Sequence, residues 1–188
     1  MSIDAKTYEA SPHYIYHPLV PKRMYDLIPN VKIIAILRNP TERAISNYFH
    51  VRRNSWEPLP LFEALLEEER RVGPALKAKD YNSEALRYYS YKRRGLYKEQ
   101  LERYLIYFPW QQVLVLNSEE LFCEPDVTLR QIFDFVEVDK NPKIRDLRPR
   151  GVAGNRCKVD PGVYDYLNAY FKPHNQALYE FVGKNYGW

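Results

Sequence analysis

The hydrophobic pattern of this chain contains two uninterrupted apolar runs. One run covers Ile33–Leu37 and the other, with the letters VLVLN, covers Val113–Asn117. Continuous apolar runs of this length are typical of strands that are covered on both faces of a parallel sheet. Each run is followed by residues with helical periodicity, so the pattern predicts an α/β fold in which helices flank a parallel sheet.

Helical spacing of apolar residues recurs along most of the remaining chain. It predicts helices over Pro21–Ile28, 40–52, Leu61–Val72, Ser83–Tyr91, Leu96–Phe108, Pro125–Val136, 161–171 and Pro173–Val182. The third of these is expected to end at Gly73-Pro74, because proline cannot continue the backbone hydrogen-bonding of a helix. Its run of three acids, Glu67–Glu69, followed by Arg70 and Arg71, predicts a solvated and ion-paired face.

The segment Tyr8–Tyr16 precedes the first predicted helix. Its aromatic and β-branched residues around Pro12 predict a short extended segment. An extended segment, a helix and then the strand at Ile33 would form a right-handed crossover, the usual hand for this connection. We therefore expect Glu9 to approach the same crevice as Arg38.

The end of the first predicted strand has the features of an anion site. Arg38 follows the strand, Asn39 is a favourable N-cap before a proline, and Glu42 stands where a capping-box partner belongs. The first N–H groups of the helix, together with the Arg38 guanidinium, predict a site for phosphate or sulfate. Ser46 and His50 lie one turn apart on the polar side of this helix. Taken alone, the pattern also fits an ordinary amphipathic helix with a solvated polar face.

Length and composition indicate a single domain spanning residues 1–188, with 45% hydrophobic and 28% charged residues. No apolar run approaches the roughly 20 residues that span a bilayer, and the N-terminus lacks the apolar region of a signal peptide. Cys123 and Cys157 have no metal-ligand spacing, which agrees with a reducing compartment, although one bridge between them stays open. We expect a cytoplasmic chain without a membrane span.

A net charge of +4 supports an anionic ligand without requiring nucleic acid. The basic residues concentrate in residues 140–162, the longest stretch without hydrophobic periodicity. Gly151 and Gly154 would let its backbone approach a ligand closely. The segment either closes over a nucleotide phosphate, with Arg150 and Arg156 as candidate contacts, or forms an exposed solubilising loop.

Four blocks in order resemble the sulfotransferase family from Tyr8 to Trp188: YEASPHYIYHPLVPKRMYDLIPNVK, LRNPTERAISNYFH, the middle segment that begins with RGLYKEQLERYL, and FKPHNQALYEFVGKNYGW. The chain is most similar to the branch that contains heparan-sulfate sulfotransferases and their bacterial relatives. The resemblance implies a P-loop-type three-layer fold. It also implies that 3′-phosphoadenosine 5′-phosphosulfate is the sulfuryl donor and that no metal takes part.

The resemblance also implies residue roles. Arg38 and Ser46 match the arginine and serine that bind the donor's 3′-phosphate, Glu9 matches the catalytic base, and His50 matches a histidine at the reacting centre of the N-sulfotransferases. The implied reaction is in-line attack by a saccharide or other hydroxyl or amine acceptor on sulfur, which leaves adenosine 3′,5′-bisphosphate.

The sequence departs from the family where the reacting phosphosulfate should be held. The family's glycine- and lysine-containing loop should come well before the Glu9 segment, whereas eight residues precede Glu9, and Ala10 replaces the lysine that often follows the base. We expect a chain that lacks the first strand and loop, is weakly active or inactive alone, and self-associates through an exposed sheet edge. The alternative is a non-catalytic module that binds a nucleotide or a polyanion.

Overall fold

The computed structural model of the protein describes residues 6–138 and 159–188. Arg150 and Arg156 lie outside the described residues. Strand β1 (Ile33–Leu37) pairs in parallel with β2 (Val113–Asn117). Ile33 lies opposite Val113 and Leu37 opposite Asn117. The bounds of both strands agree with the sequence prediction, because an unbroken apolar run has a clear beginning and end.

Helices make up most of the rest of the described chain. They are α1 (Val20–Leu27), α2 (Pro40–Arg53), α3 (Leu61–Lys77), α4 (Glu84–Tyr89), α5 (Tyr97–Leu105), α6 (Ser118–Cys123), α7 (Pro125–Val136) and α8 (Pro161–Val182). Short 3-10 turns cover Arg93–Gly95 and Trp110–Gln112. Helix α6 was not predicted, although Asn117 caps it by accepting a hydrogen bond from the Glu119 amide at 3.0 Å.

Two predicted helix ends are wrong because prolines lie within continuous helices. Helix α3 passes Pro74, whose carbonyl accepts a hydrogen bond from the Ala78 amide at 3.0 Å. Helix α8 likewise includes Pro173, which was expected to separate two helices. Phe171 and Leu178 are both buried on its two sides. Burial of one apolar stripe therefore outweighs the backbone hydrogen bond that a proline removes.

The prediction of an extended segment at Tyr8–Tyr16 is also wrong. The backbone turns there, with the Tyr14 amide bonded to the Ser11 carbonyl and the His17 amide to the His13 carbonyl. Such local bonds replace the ladder bonds of a strand, so no strand–helix–strand crossover begins in this segment.

The hydrophobic core has two parts, and the turn Arg93–Gly95 packs against both α2 and α8. One part joins α2, α3 and α8, and the other joins both strands to α5 and the end of α8. Gly95 permits the close approach, because a Cβ there would lie 2.7 Å from the Phe171 ring and 2.9 Å from Pro40. The start of α2 is therefore fixed against α8.

The carboxylate of Glu68 also fixes this turn. Its oxygens accept hydrogen bonds from the amides of Lys92 at 2.7 Å and Arg93 at 2.9 Å. Glu68 is 0% exposed, so the prediction of a solvated acidic face is wrong for this residue. It holds for the neighbouring acids, since Glu67 pairs with Arg70 and Glu69 with Arg93. Burial raises the pKa of Glu68 to about 6.

This raised pKa predicts a pH-dependent stability. As the pH falls, Glu68 takes up a proton in the folded chain before it does so in the unfolded chain. The resulting stabilisation of the folded chain is complete below about pH 4.5 and is lost as the pH rises through about 6. The shift corresponds to about 2 kcal/mol of unfolding free energy. Urea unfolding at pH 7 and pH 4.5 should show this component in the wild type and not in Glu68→Gln. An equal pH dependence in both proteins would contradict the assignment.

Candidate functional site

The carboxyl ends of the two parallel strands meet at one sheet edge, and Arg38 lies there. Its main-chain carbonyl accepts a hydrogen bond from the Tyr97 hydroxyl at 2.8 Å. Burial raises the pKa of Tyr97 to about 12, so this hydroxyl stays protonated and donates. The Arg38 side chain is 35% exposed, and its Nη2 lies 3.4 Å from Oε2 of Glu42. The main chain of Arg38 is thus held while its guanidinium remains accessible.

The N-terminus of α2 differs from the expected anion site. Oδ1 of Asn39 accepts hydrogen bonds from the amides of Thr41 at 2.9 Å and Glu42 at 3.2 Å, which confirms Asn39 as the N-cap. The Arg43 amide donates to the Asn39 carbonyl at 2.9 Å. Because these amides are already bonded within the chain, an anion near this helix must be bound mainly by side chains.

The expected capping box is completed by a residue from elsewhere in the chain. The Asn39 amide donates to Oε1 of Glu119 at 3.2 Å, a role that the sequence assigned to Glu42. Glu119 lies two residues after the end of β2, and its amide donates a hydrogen bond to the Asn117 side chain. Parallel strands bring their carboxyl ends together, so the position of Glu119 after the second apolar run was the signal that could have indicated this contact.

Ser46 and His50 extend the site along α2. Glu42, Ser46 and His50 follow each other at intervals of four residues, which places them on one helix face about 6 Å apart along the axis. Ser46 is partly buried and His50 is exposed. The helix therefore brings Ser46 within about one turn of the residue that contacts Arg38, and it places His50 farther along the same face.

Glu9 is positioned through a different set of contacts. Its Oε1 accepts a hydrogen bond from the Tyr14 hydroxyl at 3.0 Å, and this bond raises the pKa of Tyr14. The Tyr14 carbonyl accepts from the Tyr104 hydroxyl at 2.9 Å. Tyr104 and Tyr97 are seven residues apart on one face of α5, about 10 Å along its axis. The Glu9 segment and Arg38 are thus both held by the same helix face.

The described ranges, 6–138 and 159–188, contain no group of three or more histidine, cysteine, aspartate or glutamate side chains arranged to hold a metal ion. Within the same ranges, no helix combines the length and the apolar character that crossing a membrane requires.

Comparison with known proteins gives consistent matches. A family model described as "Sulfotransferase domain" matches residues 4–149. The heparan sulfate glucosamine 3-O-sulfotransferase 6 of Mus musculus is 28% identical over 204 residues, covering 97% of this chain and 56% of the relative. The heparan sulfate glucosamine 3-O-sulfotransferase 5 of Homo sapiens is 30% identical over 202 residues, with the same coverage. The chain spans about half the length of these curated relatives.

The fold of this chain is similar to that of a solved structure. The crystal structure of a sulfotransferase from Alicyclobacillus acidocaldarius matches with a TM-score of 0.76 and 30% identity. The match covers 94% of this chain and 64% of that one. It confirms the P-loop-type α/β fold with a parallel sheet flanked by helices.

Proposed function

Because the chain belongs to the sulfotransferase domain family, we propose that it transfers a sulfuryl group from 3′-phosphoadenosine 5′-phosphosulfate to a hydroxyl or amine acceptor, without a metal ion. The observation that carries the proposal is the placement of Arg38. Its main chain is fixed by Tyr97 at the sheet edge, while its guanidinium is accessible and lies beside the helix that carries Ser46.

Arg38 and Ser46 suit the 3′-phosphate of the donor. A guanidinium presents several N–H donors to phosphate oxygens, and a serine hydroxyl adds one more. Glu42 lies next to Arg38 and would repel a phosphate, so the arginine charge must offset a neighbouring carboxylate. This arrangement favours recognition by the two side chains over recognition by helix amides.

The proposed reaction is a direct displacement at sulfur. The acceptor oxygen or nitrogen forms a bond to sulfur, while the bond between sulfur and the bridging oxygen of the 5′-phosphate breaks. Adenosine 3′,5′-bisphosphate leaves, and Glu9 takes the acceptor's proton. Glu9 is exposed, so an acceptor can reach it, and the Tyr14 hydroxyl orients its carboxylate. We assign His50 an assisting role at the reacting centre.

We propose a saccharide as the acceptor, because matched relatives are named as heparan sulfate glucosamine sulfotransferases.

A cytoplasmic location also stays a prediction, and the exposed free thiol of Cys123 suits a reducing compartment. The outer edges of the two described strands would allow pairing with a second copy, so self-association is proposed as well.

The test of the base is Glu9→Gln. The variant should lower the rate of sulfuryl transfer by about 100-fold to 10,000-fold, because glutamine cannot accept the acceptor's proton. Nucleotide binding should stay unchanged. Transfer of a radiolabelled sulfuryl group from the donor to a saccharide, with the chain in excess over the donor, measures a slow single turnover directly. Glu63→Gln, an exposed acid on α3, is the matched control and should transfer at the wild-type rate.

The second candidate function is a binding module that holds the nucleotide or a polyanion without turnover. The same experiment separates the two functions. A low rate that depends on Glu9 supports a weakly active enzyme, and robust transfer would contradict the expectation of weak activity. No transfer by the wild-type chain, together with nucleotide binding that requires Arg38, would favour the binding module.

A further inference from the structure

A cavity of about 550 Å³ lies between α4, α5 and the segment that contains His13 and His17. Its lining is strongly basic: it includes four arginines, Arg87, Arg93, Arg94 and Arg103, and one carboxylate, Glu99. Its lining includes none of the proposed donor-site residues and does not include Glu9. The cavity therefore does not include the proposed donor site, although His13 and Tyr16 in its lining belong to the same segment as Glu9.

Arg94 is the most buried of these arginines, with 9% of its surface exposed. Its Nη2 donates to the main-chain carbonyls of Arg87 at 3.0 Å and Leu86 at 3.5 Å, whereas its Nε has no hydrogen-bond partner. Burial and the nearby Arg43 lower the pKa of Arg94 to about 10, so it remains charged at neutral pH. A buried charge that is bonded only to carbonyls is costly, and an anionic partner would stabilise it.

Two neighbouring arginines are also incompletely bonded. Nη2 of Arg93 pairs with Glu69 at 2.6 Å, and Nη2 of Arg103 donates to the Tyr16 carbonyl at 2.9 Å. The buried Nε atoms of both residues have no hydrogen-bond partner. Three residues around one cavity thus carry unused N–H donors, whereas buried donors are normally bonded. These Nε atoms are themselves buried, so an oxyanion in the cavity would stabilise the three guanidinium groups through its charge and not through bonds to Nε.

The arginines also act on two histidines that line the cavity. Burial lowers the pKa of His13, and the charges of Arg94 and Arg87 lower it further. Burial also lowers the pKa of His17, with contributions from Arg23 and Arg103. Both imidazoles are therefore neutral at pH 7, and the excess positive charge comes from the arginines.

We propose that this cavity binds a tetrahedral oxyanion, sulfate or phosphate, between Arg87, Arg94 and Arg103. Tyr16 and Tyr81 line the same cavity and offer ring surfaces to an organic group that carries the anion. The anion can thus be a free inorganic ion or an ester on a small molecule. The site does not depend on sulfuryl transfer or on the nucleotide.

Calorimetric titration with sodium sulfate at low ionic strength tests the site. Arg87→Ala and Arg103→Gln should each weaken sulfate binding about tenfold or more, since each removes a charge-assisted contact. Arg53→Ala, an exposed arginine at the end of α2, removes the same charge and should bind as the wild type does. Binding that is absent, or that weakens equally in all three variants, would overturn the proposal.

Nuclear magnetic resonance of the histidines provides a second measurement that a folding defect would not imitate. A sulfate concentration that just saturates the wild type should raise the pKa of His13 in the wild type and in Arg53→Ala, and it should raise that pKa less in Arg103→Gln, whose site is only partly occupied. No change of the His13 pKa in sulfate-saturated wild type would contradict binding in this cavity.

Glucose 6-sulfate distinguishes the two sources of the anion. Tighter binding of the sugar ester than of sulfate, lost in Arg103→Gln, supports an esterified ligand. Equal or tighter binding of sulfate, lost in the same variant, supports a free ion.

Discussion

Replacement of Arg38 by alanine should weaken the binding of adenosine 3′,5′-bisphosphate about a hundredfold. Each charge-assisted hydrogen bond to phosphate contributes about 1.5–3 kcal/mol, and a tenfold change in affinity corresponds to about 1.4 kcal/mol. The variant would also leave the carboxylate of Glu42 without the guanidinium at 3.4 Å, so repulsion of the phosphate adds to the loss. Ser46→Ala removes a neutral donor and should cost about threefold to tenfold.

Calorimetry with the bisphosphate measures both effects. Arg53→Ala is the matched control, because it removes one positive charge from the far end of α2, where its side chain is exposed. It should change the affinity only slightly. Equal losses in Arg38→Ala and Arg53→Ala would mean that affinity follows net charge, which contradicts a defined 3′-phosphate site and favours polyanion binding.

Loss of the Glu57 carboxylate should cost about 3–5 kcal/mol of unfolding free energy, the usual effect of removing one member of a buried ion pair. Glu57 is 1% exposed. Its Oε2 accepts hydrogen bonds from the Tyr91 hydroxyl at 2.6 Å and Arg71 Nη1 at 2.7 Å. Its Oε1 accepts from the Leu59 amide at 3.0 Å. Glu57 lies in the loop that joins α2 to α3, so Glu57→Ala would remove the acceptor that links this loop to α3 and to the residues after α4.

Urea unfolding at pH 7 measures this effect. Glu102→Ala is the control, since it breaks an ion pair with Lys98 at 2.7 Å in which the side chains are 38% and 45% exposed. An exposed pair of this kind contributes about 0.5 kcal/mol or less. The Glu57→Ala/Arg71→Ala double variant should be less destabilised than the sum of the single variants, because it leaves no unpaired guanidinium. If Glu57→Ala lowers the free energy of unfolding as little as Glu102→Ala does, the hydrogen bonds to Glu57 do not hold the loop between α2 and α3.

Several features of the candidate site were predictable from short stretches of sequence. The apolar run before Arg38 ends where β1 ends, and Asn39 caps α2 as its side chain and position indicate. The spacing of Ser46 and His50 places them on the polar face of one helix. Periodicity and capping act over a few residues, so the local sequence is sufficient to predict them. The roles of Arg38, Ser46, Glu9 and His50 remain proposals.

The sequence alone determined the two strands, most helices and the family of this chain. The tertiary structure decided which polar groups are buried and bonded. Glu57 and Glu68 are buried, although the sequence predicted a loop for the first and a solvated face for the second. It also decided that Glu119 bonds the Asn39 amide and that arginines from separate segments line one cavity. The physical reason is range: helix and strand preferences arise between near neighbours, whereas burial and charge convergence depend on residues that only packing brings together.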